Sequence, residues 1–231
     1  LFIKINSHKQ KLMQNLFQNY KQLLEERLDR KPLLSIGEDS IRYDFFVSLM
    51  ETYKFRASQI QVEVPINHQC FIPAKEKISY RNEKPLIDLV VDEEDFKISV
   101  EFGLFRQNSN EKGSIDKTAR LVKLLNDMVR VALESYFTKT RGLFICVADS
   151  KMLGHQIRSK IVNRFPTDYI ITNNIIDHQL QQKTNKFDKR FLNVFQPLNR
   201  SIESRLIYNE ILTANYIEKE TKLLIWDISL K

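Results

Sequence analysis

Apolar residues recur every three or four positions in some stretches of this chain and alternate or run together in others. Residues 8–30 carry Leu12, Leu16, Phe17, Tyr20, Leu23 and Leu24 at helical spacing, and Lys31-Pro32 stops the pattern. Gly37, Asp39 and Ser40 form a start signal for a second helix running to about residue 54, with Ile41, Phe45, Leu49 and Tyr53 on its apolar face. Residues 59–66 alternate, with Ile60, Val62, Val64 and Ile66 on one side, as a half-buried strand does. Residues 84–106 hold two apolar runs around the acidic turn Asp92 to Asp95, which predicts a β-hairpin. Residues 114–137 make the clearest helix. Its broad apolar face includes Val122, Leu125, Met128, Val129 and Ala132, and Asp116, Arg120, Lys123, Asp127, Arg130 and Glu134 form a polar stripe. That stripe is read as a solvated face with weak ion pairs, Lys123 and Asn126 excepted. Residues 142–148 are continuously apolar, as in a strand buried on both faces.

Beyond this strand come a basic helix over 150–164, a short strand over 169–172, and two strands over 205–217 and 222–228. Residues 67–82 and 106–113 read as polar loops. A helix between two strands predicts a crossover, so the fold class is α/β: a mixed sheet flanked by helices, with a C-terminal β-rich appendage. The organisation is an N-terminal packing helix over 1–34, a core over 35–172 and a C-terminal extension of the same domain over 173–231.

Two positions break the apolar pattern of the hairpin. Asp88 stands in the first run and Glu101 in the second, and an ionised carboxylate is costly to bury without a partner. With the turn centred on Glu93 and Glu94, Asp88 faces Ser99 and Glu101 faces Leu86. The two carboxylates are then diagonal neighbours on one face, roughly 7–8 Å apart at the backbone. An odd-length turn would put them on opposite faces. Glu38, at the start of the second helix, can point along the inward face as a third carboxylate. Its alternative role is to complement the helix dipole, at about 0.3–1 kcal/mol. Asp88 could equally face solvent on an edge strand, and Glu101 could pair at the surface with Lys97 or Arg106.

Composition narrows the chemistry. The net charge is +7 and the pI about 9.3, a balance that favours a polyanionic partner such as nucleic acid. Only 5 glycines are present, so a Gly-rich phosphate loop is not expected. Cys70 and Cys146 have no metal-site spacing and suit a reducing, cytoplasmic setting. His8, His68, His155 and His178 are scattered, which disfavours a His-based zinc site. No run of about 18 apolar residues predicts a transmembrane helix, and no secretory signal pattern is found. The first residue is Leu, which fits a trimmed start or a fragment boundary.

Three converging carboxylates suit Mg²⁺ or Mn²⁺, hard cations that bind oxygen and activate water beside a phosphodiester. At this point the sequence resembles the PD-(D/E)XK nuclease superfamily, the restriction-endonuclease-like fold. Pro85 lies three residues before Asp88, and Glu101-Phe102-Gly103 stands where the family carries Glu-x-Lys. The resemblance covers roughly residues 36–148. It implies an Mg²⁺-dependent endonuclease acting on DNA, with Glu38, Asp88 and Glu101 as metal ligands and a possible homodimer. It also gives the C-terminal extension a role in DNA recognition or dimerisation. Gly103 departs from the pattern by removing the lysine. Lys123 on the following helix is the first choice to replace it, with Arg106 and Lys97 as others, so the expected catalytic set is Asp88, Glu101 and Lys123. Alternatively metal and water suffice, or the domain has lost cleavage and is a DNA-binding or assembly module.

Overall fold

In a computed structural model, which describes residues 2–73, 85–106, 117–150, 168–180, 187–217 and 219–231, the chain forms one seven-stranded sheet between two helical layers. The elements in order are α1 (Phe2–Leu28), α2 (Glu38–Tyr53), β1 (Ile60–Pro65), β2 (Leu86–Glu93), β3 (Phe96–Phe105), α3 (Lys117–Thr138) and β4 (Arg141–Asp149). There follow β5 (Tyr169–Ile171), α4 (Asn173–Leu180), α5 (Lys189–Phe195), β6 (Ile202–Leu212) and β7 (Thr221–Leu230). Across the sheet the order is β1-β2-β3-β4-β7-β6-β5. The β3–β4 pair, joined through α3, is parallel, and the other pairs are antiparallel. The mixed α/β architecture expected from the hydrophobic pattern is therefore present.

Side-chain alternation divides the core into two. On one face Leu143, Ile145 and Val147 of β4 and Leu223 and Ile225 of β7 pack under α1 and α2, against Leu16, Phe17, Tyr20, Ile41, Phe45 and Leu49. On the other, Phe144, Cys146, Leu224 and Trp226 pack under α3 and α5, against Leu125, Met128, Val129, Phe191 and Phe195. Strand β4 is buried on both faces, as its unbroken apolar run requires. The two helices of the first layer are tied by Arg27, which donates two hydrogen bonds of 2.6 Å to Asp44.

Several expectations change. The two C-terminal strands exist, but they continue the central sheet next to β4 instead of standing apart. Strand β1 is an edge strand, and Val62 is 45% exposed although it alternates correctly. Helices α4 and α5 replace the weak pattern after residue 173. The hairpin turn is Glu94 and Asp95, one residue later than expected. The register thus moves by two, pairing Leu89 with Val100 and Val91 with Ile98. A shift of two preserves which face each side chain takes. The basic helix over 150–164 (beyond Ser150), most of the loop over 67–82 with Lys75, Lys77 and Arg81, and the loop after Arg106 lie outside the described residues.

Gly142, the second residue of β4, lies directly under α3. A Cβ there would stand 2.8 Å from the Ile228 carbonyl oxygen and 3.0 Å from Ser135 Oγ. Since the first of these is backbone, Gly142→Ala should destabilise the fold by about 1–3 kcal/mol, the usual effect of overpacking. Thermal or urea denaturation reads it, and an unchanged midpoint would mean that α3 and β7 do not press on this strand.

Candidate active site at the open edge of strand β3

Strand β3 runs on for five residues after its ladder with β2 ends at Leu89 and Val100. On its other side it stays paired with β4 as far as Phe105 and Ala148. Phe102 and Leu104 therefore present backbone N–H and C=O groups to an edge that has lost its neighbour, and such groups need partners when buried. Charged side chains supply them. The Phe102 N–H donates to Asp88 Oδ2 at 2.8 Å. The Leu104 N–H donates to Glu38 Oε2 at 3.3 Å. Lys123 Nζ donates to the Phe102 carbonyl at 3.4 Å.

Each side chain is delivered by a different element. Asp88 comes from β2 where that strand turns away. Glu38 is the first residue of α2, behind the cap residue Gly37. The approach to that helix is fixed by Arg106, whose Nη1 donates to the carbonyls of Leu33, Leu34 and Ile36. Arg106 thus orients Glu38 and is not a basic group of the site. Lys97 is also elsewhere, paired with Asp92 at the exposed turn end of the hairpin. Lys123 reaches the site from α3, 3.5 Å from Glu38 and 2.8 Å from Asp127. A Cβ on Gly103 would lie 2.9 Å from the Phe105 ring and 3.0 Å from the Phe144 ring, so a lysine at this position would have to displace those rings.

Glu101 projects from β3 towards α3 and is 2% exposed. Arg130 Nε stands 3.1 Å from its Oε1, yet the N–H is not aimed at that oxygen, which accepts no hydrogen bond. Arg130 is held instead by Asp127 at 2.5 Å and by the Leu86 carbonyl at 3.1 Å. Asp127, also 2% exposed, thus holds both Lys123 and Arg130. Arg42 of α2 completes the group, 3.6 Å from Asp88 and shared with Asp39 and Glu63.

The structure therefore brings Glu38, Asp88, Glu101 and Lys123 to one place. It adds Asp127, Arg130 and Arg42, which the polar stripe of α3 and the exposed face of α2 did not single out. The expectation of a solvated stripe is corrected for Asp127 and Glu134, both buried; Glu134 accepts the Asn67 N–H at 2.8 Å. Asn126 joins α3 to α5 by accepting the Asp188 N–H at 3.0 Å. One sign of this was available. Carboxylates on two inward-facing strand positions needed cations, and a crossover helix is the element that covers such a face.

Burial raises the pKa of Glu38, Asp88 and Glu101, and the neighbouring carboxylates add to it. For Glu38 these neighbours are Asp88 and Asp127, opposed by Lys123 and the Leu104 N–H. For Glu101, the most strongly raised of the three, Arg130 opposes the shift, and Asp88 and Asp127 reinforce it. Burial would lower the Lys123 ammonium, but Asp127 and Glu38 outweigh it and hold the lysine charged.

Four carboxylates (Glu38, Asp88, Glu101 and Asp127) meet three cations (Arg42, Lys123 and Arg130), and Arg42 is shared with two further acids. Hard oxygen donors, an excess of negative charge and a buried carboxylate oxygen lacking a hydrogen bond fit a divalent ion such as Mg²⁺ in donor chemistry. The ligands are not preassembled: among the described residues no three acidic, His or Cys side chains are gathered closely enough to hold a metal. A cavity of about 1080 Å³, lined by Met13, Tyr53, Phe55, Phe96, Arg141 and Arg205 among others, opens at the turn end of the hairpin and shares no residue with this group. Among the described residues no helix is long and apolar enough to cross a membrane. Comparison with protein-family models, curated proteins and solved structures found no match.

The raised carboxyls have a direction in pH. A folded-state pKa above the unfolded one means that the folded protein binds more protons, so stability falls as pH rises through the window. For Glu38 the window begins at the ordinary value of 4.5 and extends upward. Glu38→Gln removes this titration, so its melting temperature relative to wild type should increase from pH 4 to pH 7. Thermal melts across that range test it, and a difference that stays constant or shrinks would contradict the assignment.

Proposed function

We propose that the chain is a metal-dependent nuclease of the restriction-endonuclease-like type, hydrolysing phosphodiester bonds of DNA. The observation that carries this reading is the meeting of Glu38, Asp88, Glu101 and Lys123, from three separate segments, at the open edge of β3. Asp88 and Glu101 would hold the ion with Glu38 in support, and the ion, when bound, would supply an activated water and stabilise charge on the phosphate. Lys123 stays charged in its surroundings, so its role is to orient the phosphate or water electrostatically and not to abstract a proton. Its position on α3 supports it as the substitute for the lysine that Gly103 cannot provide. The net charge of +7 favours attraction to the polyanion. A homodimer would give two sites for two strands.

A second reading is favoured by the ion pairs that already engage the acids and by the near-complete burial of Glu101. In it the fold binds DNA or assembles on it without cleaving. Plasmid nicking in Mg²⁺ and Mn²⁺ separates the two. The nuclease reading expects cleavage by wild type, none by Asp88→Asn or Glu101→Gln, and a loss of about 10²–10³-fold in Lys123→Met, the range for removing one electrostatic donor. Salt-sensitive DNA binding without nicking would establish the second reading instead, and full activity in the acid variants would remove the site.

A further inference from the structure

We infer that Arg130 is a displaceable internal counterion, which pairs with Glu101 and must give way before a divalent cation can bind there. This rests on the metal-site reading above and deepens it by naming what regulates access to that site.

Arg130 is positioned by three contacts that do not involve Glu101. It donates to Asp127 at 2.5 Å and to the Leu86 carbonyl at 3.1 Å, and its guanidinium lies 6.0 Å from the centre of the Phe191 ring. The contact with Glu101 is of another kind: Nε is 3.1 Å away but misaligned, and Oε1 accepts no hydrogen bond. Charge alone holds this pair. A divalent ion offers Glu101 the same charge compensation twice over, and Arg130 can turn away while keeping Asp127 and the Phe191 face. A metal and an unmoved guanidinium on one carboxylate would repel each other, so the two occupy Glu101 by exchange. The ligand chemistry is that of a hard divalent cation, because the surrounding donors are carboxylate oxygens.

The test is Mn²⁺ binding by isothermal titration calorimetry to the full chain. It uses wild type, Arg130→Met and Arg130→Met combined with Glu101→Gln, each checked for folding by thermal denaturation. Arg130→Met should bind Mn²⁺ at least about tenfold more tightly than wild type, about 1.4 kcal/mol, because the competing charge on Glu101 is gone. The added Glu101→Gln should erase that gain. A gain that survives it overturns the inference. Equal binding by wild type and Arg130→Met overturns the exchange and leaves the metal site standing, whereas absence of binding in every variant overturns both. A gain without DNA cleavage supports the exchange and removes the nuclease reading. Should Arg130→Met not fold, the wild-type protein answers by NMR. The Arg130 Nε–H signal, assigned by its loss in Arg130→Lys, should shift as Mg²⁺ is added, and a signal that stays unchanged overturns the exchange.

Discussion

The arrangement around the site follows from an unpaired stretch of backbone. Strands β2 and β3 part company after Leu89 and Val100, while β3 continues beside β4. Half of a buried strand edge is left without a ladder partner, and nothing apolar can satisfy it. Asp88, Glu38 and Lys123 complete what the departing strand would have provided. Each of these groups is charged, so each demands a counter-charge in turn, and Asp127, Arg130 and Arg42 are drawn in behind them. The chemistry of the site is a consequence of the splay.

Such networks stabilise poorly for their size. Removing charges from water can cost more than their attraction returns, and apolar packing in the same volume is often equal or better. Here the acids are raised in pKa by burial and by each other, which marks them as less comfortable in the folded chain than in water. The aromatic rings of Phe105 and Phe144 over Gly103 show a related adjustment: the volume a side chain would take at that position is filled from two residues further along β3 and from the adjacent β4.

Much of the architecture was legible in the pattern of residues. The helical spacing in α1 and α2, the hairpin, the crossover helix and the doubly buried β4 each follow from the period of their apolar positions. Asp88 and Glu101 stood out because apolar strands do not carry carboxylates without reason, and the two-residue slip in register left their facing intact. The stripe from Asp127 to Glu134 runs inward against expectation, because i, i+4 charges on a helix look the same whether they meet water or a strand that has lost its partner. Asp127 and Arg130 are drawn inward by the open edge of β3, and the only sign of them in the sequence is that two inward carboxylates need cations. Helices α4 and α5 are short, and their apolar residues acquire meaning from the sheet face they cover. The joining of β6 and β7 to the central sheet was hidden because a strand's own pattern does not say which neighbour it will choose.

That last choice bears on how the chain must assemble. Strand β7 lies between β4 and β6, so one of the last segments in sequence sits fifth of seven across the sheet. It separates β4 from the β6–β5 pair, and it carries Trp226, fully buried, in the core beneath α3. A chain emerging from the ribosome can form the α1–α2 pair and the hairpin early, since their contacts are local. The seven-stranded sheet cannot close until residues 221–230 take their place between β4 and β6. Such long-range closure is slow, and until it is complete the waiting edges of β4 and β6 resemble unpaired edges on which other chains could template.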